Sequence, residues 1–196
     1  MNYEKARVFI LDKLRMELPP NLYYHSVGHT IDVCDAVERL GQLEGVSGEE
    51  LILLKTAALY HDSGFLKQYL SNEPAGVELA CTTLVQFGFT EKHLEVIGAI
   101  IMATQIPQKS NNLLEEVMCD ADLDYLGRAD FHPIADGLRR ELHDRAIINS
   151  DKQWDEIQIA FLSKHCYFTS TANQLRNEKK QQNLAEVKHR YDNNLY

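Results

Sequence analysis

Residues 51–60 read Leu-Ile-Leu-Leu-Lys-Thr-Ala-Ala-Leu-Tyr, and this run decides most of what the chain can fold into. It is apolar nearly all round. As a helix it has no solvent face of its own and belongs in the middle of a domain, with other elements on every side. The rest of the chain supplies helices for that role, and no segment alternates convincingly as a strand would. Periodicity and caps predict helices over 3–18, stopped by Pro19-Pro20, and over about 26–43, ending among Gly41 and Gly45. Ser47 with Glu49 and Glu50 forms a capping-box-like opening for 51–61. Further helices are expected over 73–87, 91–104, 113–126, 130–148, 153–167 and 171–191. The expectation is one all-α domain over 1–196, a bundle of about eight to nine helices. Its chemistry-bearing elements fall within about 20–130, and the helices of 130–196 pack on or extend them.

The apolar run ends on His61-Asp62. An imidazole and a carboxylate side by side at a buried helix end cost several kcal/mol if left unpaired (on the order of 3–5). A metal ion resolves that cost by turning both groups into ligands. Gly64 follows three residues later and is expected to take the left-handed conformation that stops a helix. Two other segments put histidines or acids where core helices would not want them. In Tyr24-His25-Ser26-Val27-Gly28-His29, a helical reading places His25 and His29 on one face. His29 then joins the inward stripe of Val33, Ala36, Leu40 and Leu43. A lone inward histidine is usually a satisfied core residue; two on one face, with a His-Asp doublet elsewhere, point to ligands. In Cys119-Asp120-Ala121-Asp122-Leu123-Asp124, acids at every second position spread around the helix. Against the stripe Leu114, Val117, Met118, Ala121 and Tyr125, Asp120 is the most solvent-facing, while Asp122 and Asp124 lie at the two margins and periodicity does not choose between them.

Composition narrows the classes. Hydrophobic residues make up 44% and charged residues 25%, as in soluble globular proteins. A net charge of −9 argues against a general nucleic-acid-binding surface. No stretch has signal-peptide form or approaches a membrane span, so a cytoplasmic protein is expected. Cys34, Cys81, Cys119 and Cys166 are widely spaced and read as reduced core thiols, not a thiolate zinc site.

The order of these elements, Tyr-His-x-x-x-His, then His-Asp, then Asp-Ala-Asp-Leu, resembles the HD superfamily of metal-dependent phosphohydrolases, over roughly residues 20 to 130. The all-helical reading agrees with that family's fold. The resemblance implies His29, His61, Asp62 and Asp122 as ligands of one divalent ion, and so favours Asp122 over Asp124. His25 matches the histidine that, in the superfamily's cyclic nucleotide phosphodiesterases, gives a proton to the leaving oxygen. The chain departs from the subfamily acting on cyclic dinucleotides. No Gly-Tyr-Pro follows the doublet, Thr104 stands about where an extra histidine would fall, and Asn72 stands where several relatives have His before a Glu. One metal is therefore expected and not two, with Glu73 able to hold a water or a weaker second ion beside it.

Two imidazoles and two carboxylates suit Fe, Mn, Co or Ni, with Mg or Zn also possible. The implied reaction is hydrolysis of a small phosphomonoester or phosphodiester, expected to be a nucleotide, by metal-activated water. Asp62 would ligate and orient, and His25 would protonate the leaving group. Lys67, Thr104, His165 and Arg176 are the candidate substrate contacts, and Tyr125 could stack on a base. The alternative is a non-catalytic sensory or regulatory domain that binds a metal or nucleotide without turnover. Nothing in the sequence specifies an oligomeric state.

Overall fold

The computed structural model describes residues 1–195. Among them are nine α-helices, three short 3-10 turns and no strand. The helices are α1 (Tyr3–Glu17), α2 (Val27–Leu43), α3 (Gly48–Tyr60), α4 (Glu73–Leu84), α5 (Glu91–Ala103), α6 (Leu113–Asp122), α7 (Phe131–Asp144), α8 (Asp151–Lys164) and α9 (Ser170–Asp192). Their starts follow local chemistry. Asn2, Ser26, Thr90, Asn112, Ser150 and Thr169 each accept an amide proton of the first turn through their side chain, a cap typically worth about 1 kcal/mol.

The apolar run lies where its composition requires. α3 packs against α1, α2 and α5, with further contacts to α4 and α6, and Leu54, Ala57, Ala58 and Tyr60 are fully enclosed. They form a first core with Ile10, Leu40, Ile97, Ile101 and Met118. A second core gathers Leu126, Phe131, Trp154, Leu162 and Val187 from α7, α8, α9 and the 3-10 turn Asp124–Gly127. Tyr24 and Leu123 belong to the second core, while His29 and Asp122 lie on α2 and α6 of the first. The seam between the two cores is where polar groups can be enclosed without being smothered.

Four expectations are corrected here. α6 ends at Asp122 and does not continue to residue 126, because Leu123 leaves helical geometry and the chain re-forms as a 3-10 turn. A helical wheel drawn through Asp124 therefore misplaces it. Gly64 is not left-handed; Gly45, Gly48 and Gly88 are the glycines with positive φ. What Gly64 supplies is room, since a Cβ there would lie 1.8 Å from the Asn72 carbonyl oxygen. Its bare backbone lets the turn Ser63–Leu66 press against the start of α4. Asp120 is 1% exposed. The stripe argument assumed one buried face, whereas α6 is flanked by α2, α3 and α5 and is covered by the lead-in to α9. Asp120 accepts from the amides of Phe168 (2.7 Å) and Thr169 (2.8 Å) and from the Thr169 hydroxyl (2.7 Å). All four cysteines are free; Cys34 and Cys119 are buried, but Cys166 is exposed and is no core thiol.

Candidate functional site

α2 delivers His29 from its first turn, where Ser26 caps the helix by accepting the His29 amide. α3 ends at Tyr60, so His61 and Asp62 emerge together at its C-terminus. α6 delivers Asp122 as its last residue. These elements meet at four atoms. His29 Nε2 lies 3.2 Å from Asp122 Oδ1 and 3.4 Å from Asp62 Oδ2. His61 Nε2 lies 3.2 Å from Asp62 Oδ2, 3.4 Å from Asp122 Oδ1 and 3.4 Å from His29 Nε2. Donor atoms about 2.0–2.2 Å from one shared ion stand roughly 3–3.5 Å from one another. His29, His61 and Asp122 are thus close enough to hold a metal ion, and Asp62 Oδ2 faces the same point.

The donor chemistry fits a cation. His61 Nδ1 lies 2.8 Å from the Ala58 carbonyl oxygen, which can only accept, so Nδ1 carries the proton and Nε2 of the neutral ring presents a lone pair. That lone pair meets two carboxylate oxygens and a second imidazole nitrogen. Asp62 Oδ2 is enclosed and makes no aligned hydrogen bond. Four electron-rich atoms converging in a buried place repel one another unless positive charge lies among them. Protonation shows the same demand. Burial disfavours charged His61, yet the negative charges of Asp62 and Asp122 beside it raise its pKa well above the usual value. Burial likewise works to raise Asp62 and Asp122. The His61 charge holds Asp62 low, and hydrogen bonds from His29 and His61 hold Asp122 low.

His25 is not helical, because α2 starts at Val27. The four-residue spacing on a shared helix face therefore does not explain its position. Glu141, fully buried on α7, places it instead. Its Oε1 accepts the backbone amides of Tyr24 and His25 (2.8 Å for the latter), and its Oε2 lies 2.8 Å from His25 Nδ1. The ring stacks on Phe65 with centroids 4.1 Å apart. With Nδ1 committed to Glu141, Nε2 is the ring nitrogen left for other work. Sequence reasoning missed Glu141, which sits in the charged run Arg139-Arg140-Glu141-Leu142-His143-Asp144 and looks like part of a solvated face. It also missed Gln108, whose amide nitrogen lies 3.2 Å from Asp122 Oδ2 and steadies that carboxylate.

A cavity of about 220 Å³ opens from these residues into the seam between the cores. His25, Asp62, Asn72, Glu73, Thr104 and Asp122 line its polar end. Thr104 and Glu73 thus reach the site, and Glu73 Oε2 and Asn72 Oδ1 are buried there without a partner. Tyr125 also lines the cavity. The structure does not bring the proposed basic contacts to it. Lys67, on the surface, pairs with Glu78 at 2.8 Å. Arg176 is bound to Asp124, Nε to Oδ1 at 2.7 Å, and Arg39 joins the same carboxylate at 2.9 Å. Asp124 is thereby an arginine anchor between α2 and α9. His165 lines a neighbouring outer groove with Lys164, Cys166 and Phe168, and its backbone carbonyl accepts from the buried Lys180 ammonium.

Comparison with solved structures places the fold. The structure of Bacillus subtilis YpgQ in complex with ADP matches with a TM-score of 0.67 and 17% sequence identity, over 97% of this chain and 97% of that one. At that identity the likeness shows the fold alone. No family model matches the chain, and no curated protein matches it. No helix among the described residues is long and apolar enough to cross a membrane.

Proposed function

We propose that the chain is a metal-dependent phosphohydrolase of the HD type, acting on a small phosphorylated substrate, a nucleotide, at the His29–His61–Asp62–Asp122 centre. The observation that carries this is the convergence of four donor atoms, two nitrogens and two oxygens, from three separate helix ends. The motif resemblance and the ADP bound by the similarly folded YpgQ support the choice of a phosphorylated ligand. An ion held by the four residues would offset charge on a phosphoryl oxygen and lower the pKa of a water, with Fe, Mn, Co or Ni suited to the mixed donors and Mg or Zn alternatives.

The chain's own groups do the rest. His61 is held by the Ala58 carbonyl and Asp122 by Gln108, so neither ligand must be ordered at the moment of reaction. His25 gives its proton to the leaving oxygen, oriented by Glu141. The seam between the two cores keeps bulk water from the polar end of the cavity.

Purified wild type, His61→Ala and Asp62→Asn test the reading through metal content and hydrolysis of a nucleoside monophosphate and a generic phosphodiester. The expected result is stoichiometric metal in wild type, a loss of roughly tenfold or more in metal affinity in His61→Ala, and loss of turnover in both variants. Undiminished metal in both variants would overturn the assignment. Tight nucleotide binding by metal-loaded wild type with no turnover would favour a sensory domain instead.

A further inference from the structure

We infer that the substrate is a nucleoside monophosphate, with its single phosphate at the acid-histidine centre, its base against the α7–α8 wall of the cavity, and Gln158 reading the base's polar edge. This rests on the hydrolytic reading above and deepens it.

Charge argues for one phosphate. Among the described residues no lysine or arginine lines the cavity, whereas Asp62, Glu73 and Asp122 do. Of the surrounding cations, Lys164 lines the outer groove and not this cavity, and five others are engaged elsewhere. Arg39 and Arg176 hold Asp124, Arg128 pairs with Asp32, Lys67 pairs with Glu78, and Arg145 lies over the Tyr69 ring. The centre can neutralise one phosphoryl group through its ion. A second or third would sit among carboxylates with no side-chain countercharge.

The far end argues for a flat, largely apolar body. Leu126, Leu138, Leu142, Trp154, Ile157 and Phe161 form it, and such a surface favours an aromatic ring. At the polar end, Asn72 Oδ1 and Glu73 Oε2 are buried acceptors without donors, and Asn72 is only 7% exposed. The hydroxyl groups of a ribose supply such donors. Gln158, 6% exposed and on the same turn of α8 as Trp154 and Ile157, is the carboxamide set into the apolar wall. Its Oε1 accepts from Arg190 Nη2 at 3.5 Å, so the amide nitrogen is the group left to donate to an acceptor on the edge of a base. A donor set into an apolar wall discriminates strongly, because a ligand without the matching acceptor leaves it desolvated and unpaired.

The reaction balances. The oxygen of water bonds to phosphorus as the bond from phosphorus to the ribose oxygen breaks. His25 protonates that oxygen and is reloaded by the proton water releases, giving nucleoside and inorganic phosphate.

The experiment uses the metal-loaded chain with AMP, GMP, CMP, ADP, ATP and p-nitrophenyl phosphate, in wild type and Gln158→Leu. The expected kcat/KM for the best monophosphate exceeds that for ADP and ATP by about tenfold or more. Gln158→Leu raises KM for that monophosphate by roughly tenfold at unchanged kcat, and leaves p-nitrophenyl phosphate unaffected. ADP or ATP hydrolysed as well as the monophosphates would overturn the single-phosphate inference while leaving the hydrolytic reading intact. Equal effects of Gln158→Leu on both kinds of substrate would overturn its role in base recognition. If wild type hydrolyses none of them, the hydrolytic reading fails. Calorimetric titration with AMP and ATP then decides the inference separately, with preference for AMP supporting it and preference for ATP overturning it.

Discussion

Glu141 shows how a single acid can organise a site it does not line. It receives the amides of Tyr24 and His25 and the His25 ring at once, so it fixes both where the chain turns and how the imidazole points. Glu141→Gln keeps a carbonyl for the amides but loses the charge opposite Nδ1. The expected result is a fall in turnover of about 10–100-fold with metal content unchanged; full turnover in that variant would remove Glu141 from the mechanism. His165 makes a prediction about stability. Burial, and then the charge of Lys180, lower its pKa to about 4, against a weak opposing pull from Asp122. Tyr167 and Phe161 are the rings packed on it. The unfolded chain binds the proton near the ordinary value of about 6.5 and the folded chain does not. The contribution is therefore complete above about pH 6.5 and is lost as pH falls toward 4. His165→Gln should lose less melting temperature than wild type between pH 7.5 and 4.5; equal losses would refute this. The residues legible in sequence were those whose chemistry clashed with their surroundings, namely His29 and the His61-Asp62 doublet. Glu141 was illegible because its neighbours in the chain are charged and only the fold reveals that it faces inward.

At the scale of elements, the helices were legible because their apolar periods and caps are local properties, and the nine predicted segments correspond to the nine helices found. What sequence could not supply was how many sides of a helix are covered. α6 is covered on several, which is why Asp120 is enclosed when a one-sided stripe puts it in water. The consequence is a pKa raised to about 6, through burial, against the lowering effect of the Thr169 and Phe168 amides. Helix ends were similarly opaque where packing sets them, as at Gly64. Gly64→Ala would force the Ser63–Leu66 turn away from α4, because Asn72 backbone and not a flexible side chain occupies the space. The expected cost is about 3 kcal/mol or more, read by denaturant unfolding, together with weakened metal binding as the turn after Asp62 shifts. Wild-type stability in that variant would contradict the close-approach account.

Across the whole molecule, the α6 end ties distant parts of the chain together. Asp120 holds the lead-in to α9, Asp122 belongs to the donor cluster, and Asp124 holds Arg176 of α9 and Arg39 of α2. Gly127 allows the same close seating, since a Cβ there would lie 2.3 Å from the Arg176 carbonyl oxygen. Among the described residues the hydrogen bonds and ion pairs of the four donors involve no α9 side chain, yet both acids flanking Asp122 draw partners from α9 or its lead-in. The consequence concerns the order of events on warming. If α9 and its lead-in lift, Asp120 loses its partners and Asp124 keeps Arg39 but loses Arg176, and the ligand between them is held less firmly while the α3 core is still intact. Release of bound metal should therefore follow the temperature at which α9 amides begin to exchange, below the temperature at which α3 amides do. Simultaneous release and α3 exchange would mean that the two cores come apart as one.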